Sequence, residues 1–117
     1  MRKDYIKKCI ESVSFLGSSS LISNNSKKSI IEAGNRMMNE CWKVEYKSLK
    51  GTKEQKFYQM KCFWNDIHTE LVGERKVYDF LAVFDDRVNP PRQRGNVELY
   101  IKPKNTVEVL LFKLKRK

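Results

Sequence analysis

The amino-acid sequence predicts an α+β domain in which two N-terminal helices pack on one face of a four- to five-stranded, mainly antiparallel meander sheet. Three observations carry that expectation. Apolar residues recur at helical spacing in the N-terminal third, the spacing changes to two after residue 41, and short apolar runs separated by turn signals fill the rest. A chain of 117 residues, 40% hydrophobic and 11% aromatic, is the size of one domain spanning 1–117, and it can bury a core without disulfide or metal support.

Residues 3–16 place Ile6, Cys9, Ile10, Val13 and Leu16 on one stripe, an amphipathic helix that ends near Gly17. Residues 17–29, GSSSLISNNSKKS, form a Ser- and Asn-rich connection with little apolar surface to bury. A second helix is expected from about Ser29 to Asn39. Ser29-Ile-Ile-Glu32 fits a capping box, and Ile30, Ala33, Met37 and Cys41 share a stripe. Gly34 costs a helix interior about 1 kcal/mol relative to alanine, so its presence predicts close packing against a neighbour.

From residue 41 the pattern reads as strand. In CWKVEYKSLK, Trp42, Val44 and Tyr46 alternate with Lys43, Glu45 and Lys47, the signature of a half-buried strand. Residues 50–54 supply a turn, and FYQMKCFW, 57–64, is the expected antiparallel partner. It would turn Tyr58, Met60, Cys62 and Trp64 toward the core and Phe57, Lys61 and Phe63 away from it. Residues 65–72 read as a short helical turn capped by Asn65 or as an irregular connection. KVYDFLAVF, 76–84, is apolar on both faces apart from Asp79, which predicts a central strand covered on one side by a helix. Beyond the loop 85–95, with its NPPRQRG, the runs VELYIK and TVEVLLFKLK read as a final hairpin joined through Pro103-Lys104-Asn105.

Charge narrows the function classes. The 24 Lys and Arg against 14 Asp and Glu leave a formal net charge of +10, which favours polyanionic partners: nucleic acid, an anionic membrane surface or an acidic protein. Cys9, Cys41 and Cys62 are an odd set without CxxC spacing, and MRKDYIKKCIESV lacks the apolar run of a signal peptide. A reduced, intracellular chain, cytoplasmic or nuclear, is expected. No window approaches the roughly 18 continuous apolar residues of a membrane span, so no integral membrane contact is expected.

The sequence therefore points to a protein that binds RNA or single-stranded DNA on a lysine-rich, aromatic-bearing sheet face. Phosphates would be held by Lys43, Lys47, Lys61, Lys102, Arg92 and Arg94, and bases would stack on Phe57, Phe63 and Tyr100. A competing expectation makes Phe57 and Phe63 an interaction patch for a second copy of the chain or an acidic protein, framed by lysines.

A third expectation is a small nuclease. Asp79 and Glu98 on adjoining strands would hold Mg²⁺, or His68, the single histidine, would act beside Asp66 and Glu70. The metal version lacks the usual lysine two residues after the glutamate, where Tyr100 stands. Cys9, Cys41, Cys62 and His68 contain no ligand pair at zinc spacing except Cys62-x5-His68, and core cysteines explain them better. Neither GxxxxGKS nor GxGxxG occurs. No catalytic set, metal or cofactor is expected.

Overall fold

The computed structural model describes residues 2–85 and 95–116. Three helices, α1 (Arg2–Ser18), α2 (Asn24–Ser48) and α3 (Lys53–Gly73), precede three strands, β1 (Asp79–Phe84), β2 (Val97–Lys102) and β3 (Leu110–Leu114). The strands form one antiparallel meander sheet in the order β1-β2-β3, and helices contact it. The class is the α+β class the sequence predicts. The division between helix and strand is not, because residues 41–48 and 53–64 are helical.

The first helix follows its stripe: Ile6, Ile10 and Val13 are buried. The second begins earlier than its expected box. Ser23 is the cap, with its Oγ accepting from the Ser26 N–H at 3.3 Å, and the helix continues past Asn39 to Ser48. Met38 and Trp42, four residues apart, are fully buried, and Tyr46 packs beside them. The alternation of Trp42, Val44 and Tyr46 is thus also compatible with a helical stripe, and only Val44 is left on the outside.

The expected hairpin strand FYQMKCFW is the N-terminal half of α3. Thr52 and Gln55 form a reciprocal capping box: the Gln55 N–H donates to Thr52 Oγ1 at 3.2 Å, and the Thr52 N–H donates to Gln55 Oε1 at 2.8 Å. Downstream, Met60, Phe63, Trp64, Ile67 and Leu71 recur at three- and four-residue intervals, and all are buried. The expected faces are consequently reassorted. Met60 and Trp64 do point inward, but so does Phe63, whereas Tyr58 and Cys62 are exposed. Residues 65–72 are the last part of the same helix.

Trp42, Phe63 and Trp64 interlock α2 and α3, with centroid separations of 5.0 to 5.4 Å and tilted or edge-on planes. The helices approach closely elsewhere as well. A Cβ placed on Gly34 would lie 2.6 Å from Val13 Cγ1 on α1, which is the close packing the mid-helix glycine predicts.

In the sheet, the register sets Phe80 opposite Ile101, Ala82 opposite Leu99 and Phe84 opposite Val97, and then Leu99 opposite Phe112. These residues face the helices. The opposite face carries Leu81, Tyr100 and Leu111 in one row and Val83, Glu98 and Lys113 in the next. Among the described residues strand β1 pairs only with β2, so the expected central strand is an edge strand, and Leu81 and Val83 on its second face are exposed. The final hairpin is where the sequence places it. Its second strand starts only at Leu110, after a turn in which Asn105 adopts positive φ.

Candidate nucleic-acid interface

Lysines collect at one end of the molecule. On α2, the Trp42 Nε1–H donates to the Gly95 carbonyl at 2.9 Å, and the Tyr46 ring fills the space a side chain on Gly95 would need. On α3, Phe57 meets Phe84 edge-on at 5.9 Å. Gly95 and Phe84 mark one end of the sheet, so the α2–α3 connection extends beyond it. That projecting stretch contains Lys47, Lys50, Lys53 and Lys56, with Lys61 a turn further along α3 and Glu54 as its one carboxylate. Lys47, Lys50, Lys53 and Lys61 are exposed and Lys56 is half-buried. Strand β3 ends on the same side, where Lys113 and Lys115 are exposed.

Pairing separates these cations from several others, although Lys8, Lys27, Lys28 and Arg36 also form no ion pair among the described residues. Arg2 meets Glu45, Lys3 meets Asp66, Lys7 meets Glu70 and Asp4, and Lys76 meets Glu11 and Glu74. The hydrogen bond to Glu70, reinforced by Asp4, holds the Lys7 ammonium above the ordinary lysine range; Glu11 and then Glu74 do the same for Lys76. Lys43 is half-buried and bridges to Glu40 at 3.2 Å. By contrast, Lys47, Lys50, Lys53, Lys56 and Lys61 form no ion pair among the described residues. Their unneutralised charge is concentrated on one helical hairpin.

The aromatic residues expected to stack are distributed differently from the sequence reading. Phe63 is 8% exposed in the Trp42–Trp64 cluster and presents no face to a base or a partner, so the expected Phe57/Phe63 patch does not form. Phe57 is half-buried, with Lys61 Nζ 4.6 Å from its ring centroid. The accessible ring at this end is Tyr58, 69% exposed, beside Lys50 and Gln59 in an open cleft; the Gln59 amide anchors that cleft by donating to the Lys50 carbonyl at 2.8 Å. A hydrogen bond with the neighbouring Cys62 thiol raises the Tyr58 phenol above its usual pKa. The strand reading turns Tyr58 toward the core and counts Lys50, Lys53 and Lys56 as hairpin charge without setting them on phosphates. The Thr52–Gln55 capping box was the signal that would have found them.

The outer sheet face is a mixed surface. Tyr100 and Lys102 do lie on it, as expected. The Tyr100 hydroxyl donates to Glu98 Oε2 at 2.7 Å, which raises its pKa, and the Lys102 ammonium lies 4.4 Å from the Tyr78 ring centroid. Their neighbours are Leu81 and Leu111 rather than the lysines of a second hairpin. Arg92 and Arg94 lie outside the described residues.

The nuclease pair is separated by register. Asp79 stands opposite Lys102 and Glu98 opposite Val83, an offset of four residues or about 13 Å along the strands. Asp79 instead accepts the Phe80 N–H. The carboxylate coupled to Glu98 is Asp85, whose pKa is raised by burial and secondarily by Glu98. His68 is half-buried and packs edge-on against Phe80 at 5.6 Å. Among the described residues no three His, Cys, Asp or Glu side chains are grouped to hold a metal ion, and no helix is long and apolar enough to cross a membrane.

Fold and surface together define the class: an α+β domain of three helices and a three-stranded antiparallel meander, with a basic helical hairpin projecting at one end. Comparison with family models, curated proteins and solved structures finds no match.

Proposed function

We propose that the protein binds RNA or single-stranded DNA through the α2–α3 end, with Lys47, Lys50, Lys53 and Lys56 on phosphates and Tyr58 stacking on a base. The observation that carries this reading is the grouping of these lysines on one projecting helical hairpin, none of them in an ion pair among the described residues and with Glu54 as the stretch's one carboxylate. Phosphate backbones reward such a surface because each neutralised phosphate releases condensed counterions. An exposed tyrosine adds a sequence-tolerant contact worth about 1 to 3 kcal/mol per stacked base. The interface is helical, and Lys61 contributes from its margin. Lys102 and Tyr100 belong to a separate face.

Fluorescence anisotropy with a labelled single-stranded oligonucleotide tests it. Replacing Lys47, Lys50, Lys53 and Lys56 together by glutamine should abolish most binding at moderate salt. Tyr58→Ala should weaken single-stranded ligands by about 1 to 3 kcal/mol and leave duplex DNA nearly unaffected. Wild-type affinity in the lysine variant would remove the proposal.

A further inference from the structure

The two edges of the sheet end differently. On β3, the Asn39 side chain from α2 donates to the Lys113 carbonyl at 2.9 Å and accepts from the Lys115 N–H at 2.8 Å, occupying the edge much as another strand would. Strand β1 has no such cover among the described residues. The Asp85 N–H donates to the Asn96 carbonyl at 3.0 Å. Alternation along an antiparallel ladder then turns the backbone groups of Val83 and Leu81 toward β2 and those of Phe80, Ala82 and Phe84 away from it. Consistent with this, the Phe80 N–H is taken by the carboxylate of its own neighbour, Asp79, at 2.8 Å.

Ala82 and Phe84 border a groove of about 440 Å³ between β1 and α3, walled on the helix side by Lys61, Trp64 and His68. The Trp64 indole N–H is buried without a hydrogen-bond partner among the described residues. Among the described residues no carboxylate lines the groove.

We infer that this groove receives an extended segment of a partner protein as a fourth strand on β1, with alternate side chains lying under α3 and an acidic side chain beside Lys61. Strand addition suits the geometry because the open edge offers backbone donors and acceptors at strand spacing, next to a cavity that can take every second side chain. Charge selects the occupant. A second copy of this chain pairing β1 to β1 would bring two Lys61 side chains and two domains of net charge +10 together, whereas an acidic segment is attracted. The groove shares Lys61 with the margin of the α2–α3 surface but is lined by none of Lys47, Lys50, Lys53 and Lys56, so either proposal can fail alone.

The test is an anisotropy titration at 0.15 M salt with a labelled, terminally blocked heptapeptide of alternating glutamate and valine. Two further versions of the same charge would be N-methylated, one on the glutamate amides and one on the valine amides. The expected result is that one methylated version loses roughly tenfold or more in affinity and the other does not, because a strand presents only alternate amides to the edge. Ala82→Pro removes an outward N–H without breaking a bond to β2 and should cost a similar factor. Attaching a bulky maleimide to Cys62, which is exposed and lines the groove, should block the peptide by a route that does not alter the strand.

The four-lysine variant should bind the peptide within about threefold of wild type, since none of the four lysines lines the groove. Equal binding of all three peptides, undiminished binding to both modified proteins, or no binding to the wild type would overturn the proposal. So would a wild-type dimer that Ala82→Pro converts to monomer, because the edge would then belong to a second copy.

Discussion

Gly34 and Asp85 are the residues whose environments make the sharpest local predictions. At Gly34, alanine would gain about 1 kcal/mol in helix propensity, but its Cβ would press on the buried, β-branched Val13. Overpacking of this kind costs about 1 to 3 kcal/mol, so Gly34→Ala should destabilise the protein by about 1 kcal/mol in urea unfolding. Asp85 behaves in the opposite sense to a salt-bridged carboxylate. Burial first, and Glu98 second, raise its pKa above the ordinary 3.8, so the folded state binds this proton more tightly than the unfolded chain. Its contribution is favourable below the unfolded value and is lost as pH rises through the folded one. Asp85→Asn should therefore raise the Tm relative to wild type at pH 7 and show a smaller advantage at pH 3.5.

Among the elements, α1 and the β2–β3 hairpin were legible because each satisfied one period only. Ile6, Ile10 and Val13 fit a helix and nothing else, and VELYIK alternates cleanly about Val97, Leu99 and Ile101. Residues 41–64 satisfied two. Their tryptophans, tyrosines and phenylalanines suit a strand by propensity, and several happen to alternate, yet Met60, Phe63, Trp64, Ile67 and Leu71 form an unbroken helical stripe. Extending the window past residue 64 and weighing the Thr52–Gln55 box would have decided for helix. The edge position of β1 was not legible at all, since it depends on which strands pair rather than on the strand's own sequence. The box is also testable: Thr52→Ala should cost about 1 kcal/mol and leave the helix content of the folded state nearly unchanged by circular dichroism.

For the whole molecule, the total charge and the concentration of lysines over residues 47–61 were readable from the sequence, but their placement in space was not. Helix formation over residues 41–48 and 53–64 removes Phe63 to the core, brings Tyr58 to the surface and carries Lys47, Lys50, Lys53 and Lys56 beyond the sheet. The basic surface is thus a helical projection, while the sheet has one edge covered by Asn39, one edge without cover among the described residues, and a mixed outer face. The most direct test of this account is the salt dependence of affinity for a single-stranded oligonucleotide, compared between wild type and the variant with glutamine at positions 47, 50, 53 and 56. If each lysine neutralises one phosphate, the slope of log K against log salt should become shallower by about 3 units, from roughly 0.7 per phosphate on a single strand. Identical slopes and affinities in the two proteins would contradict it.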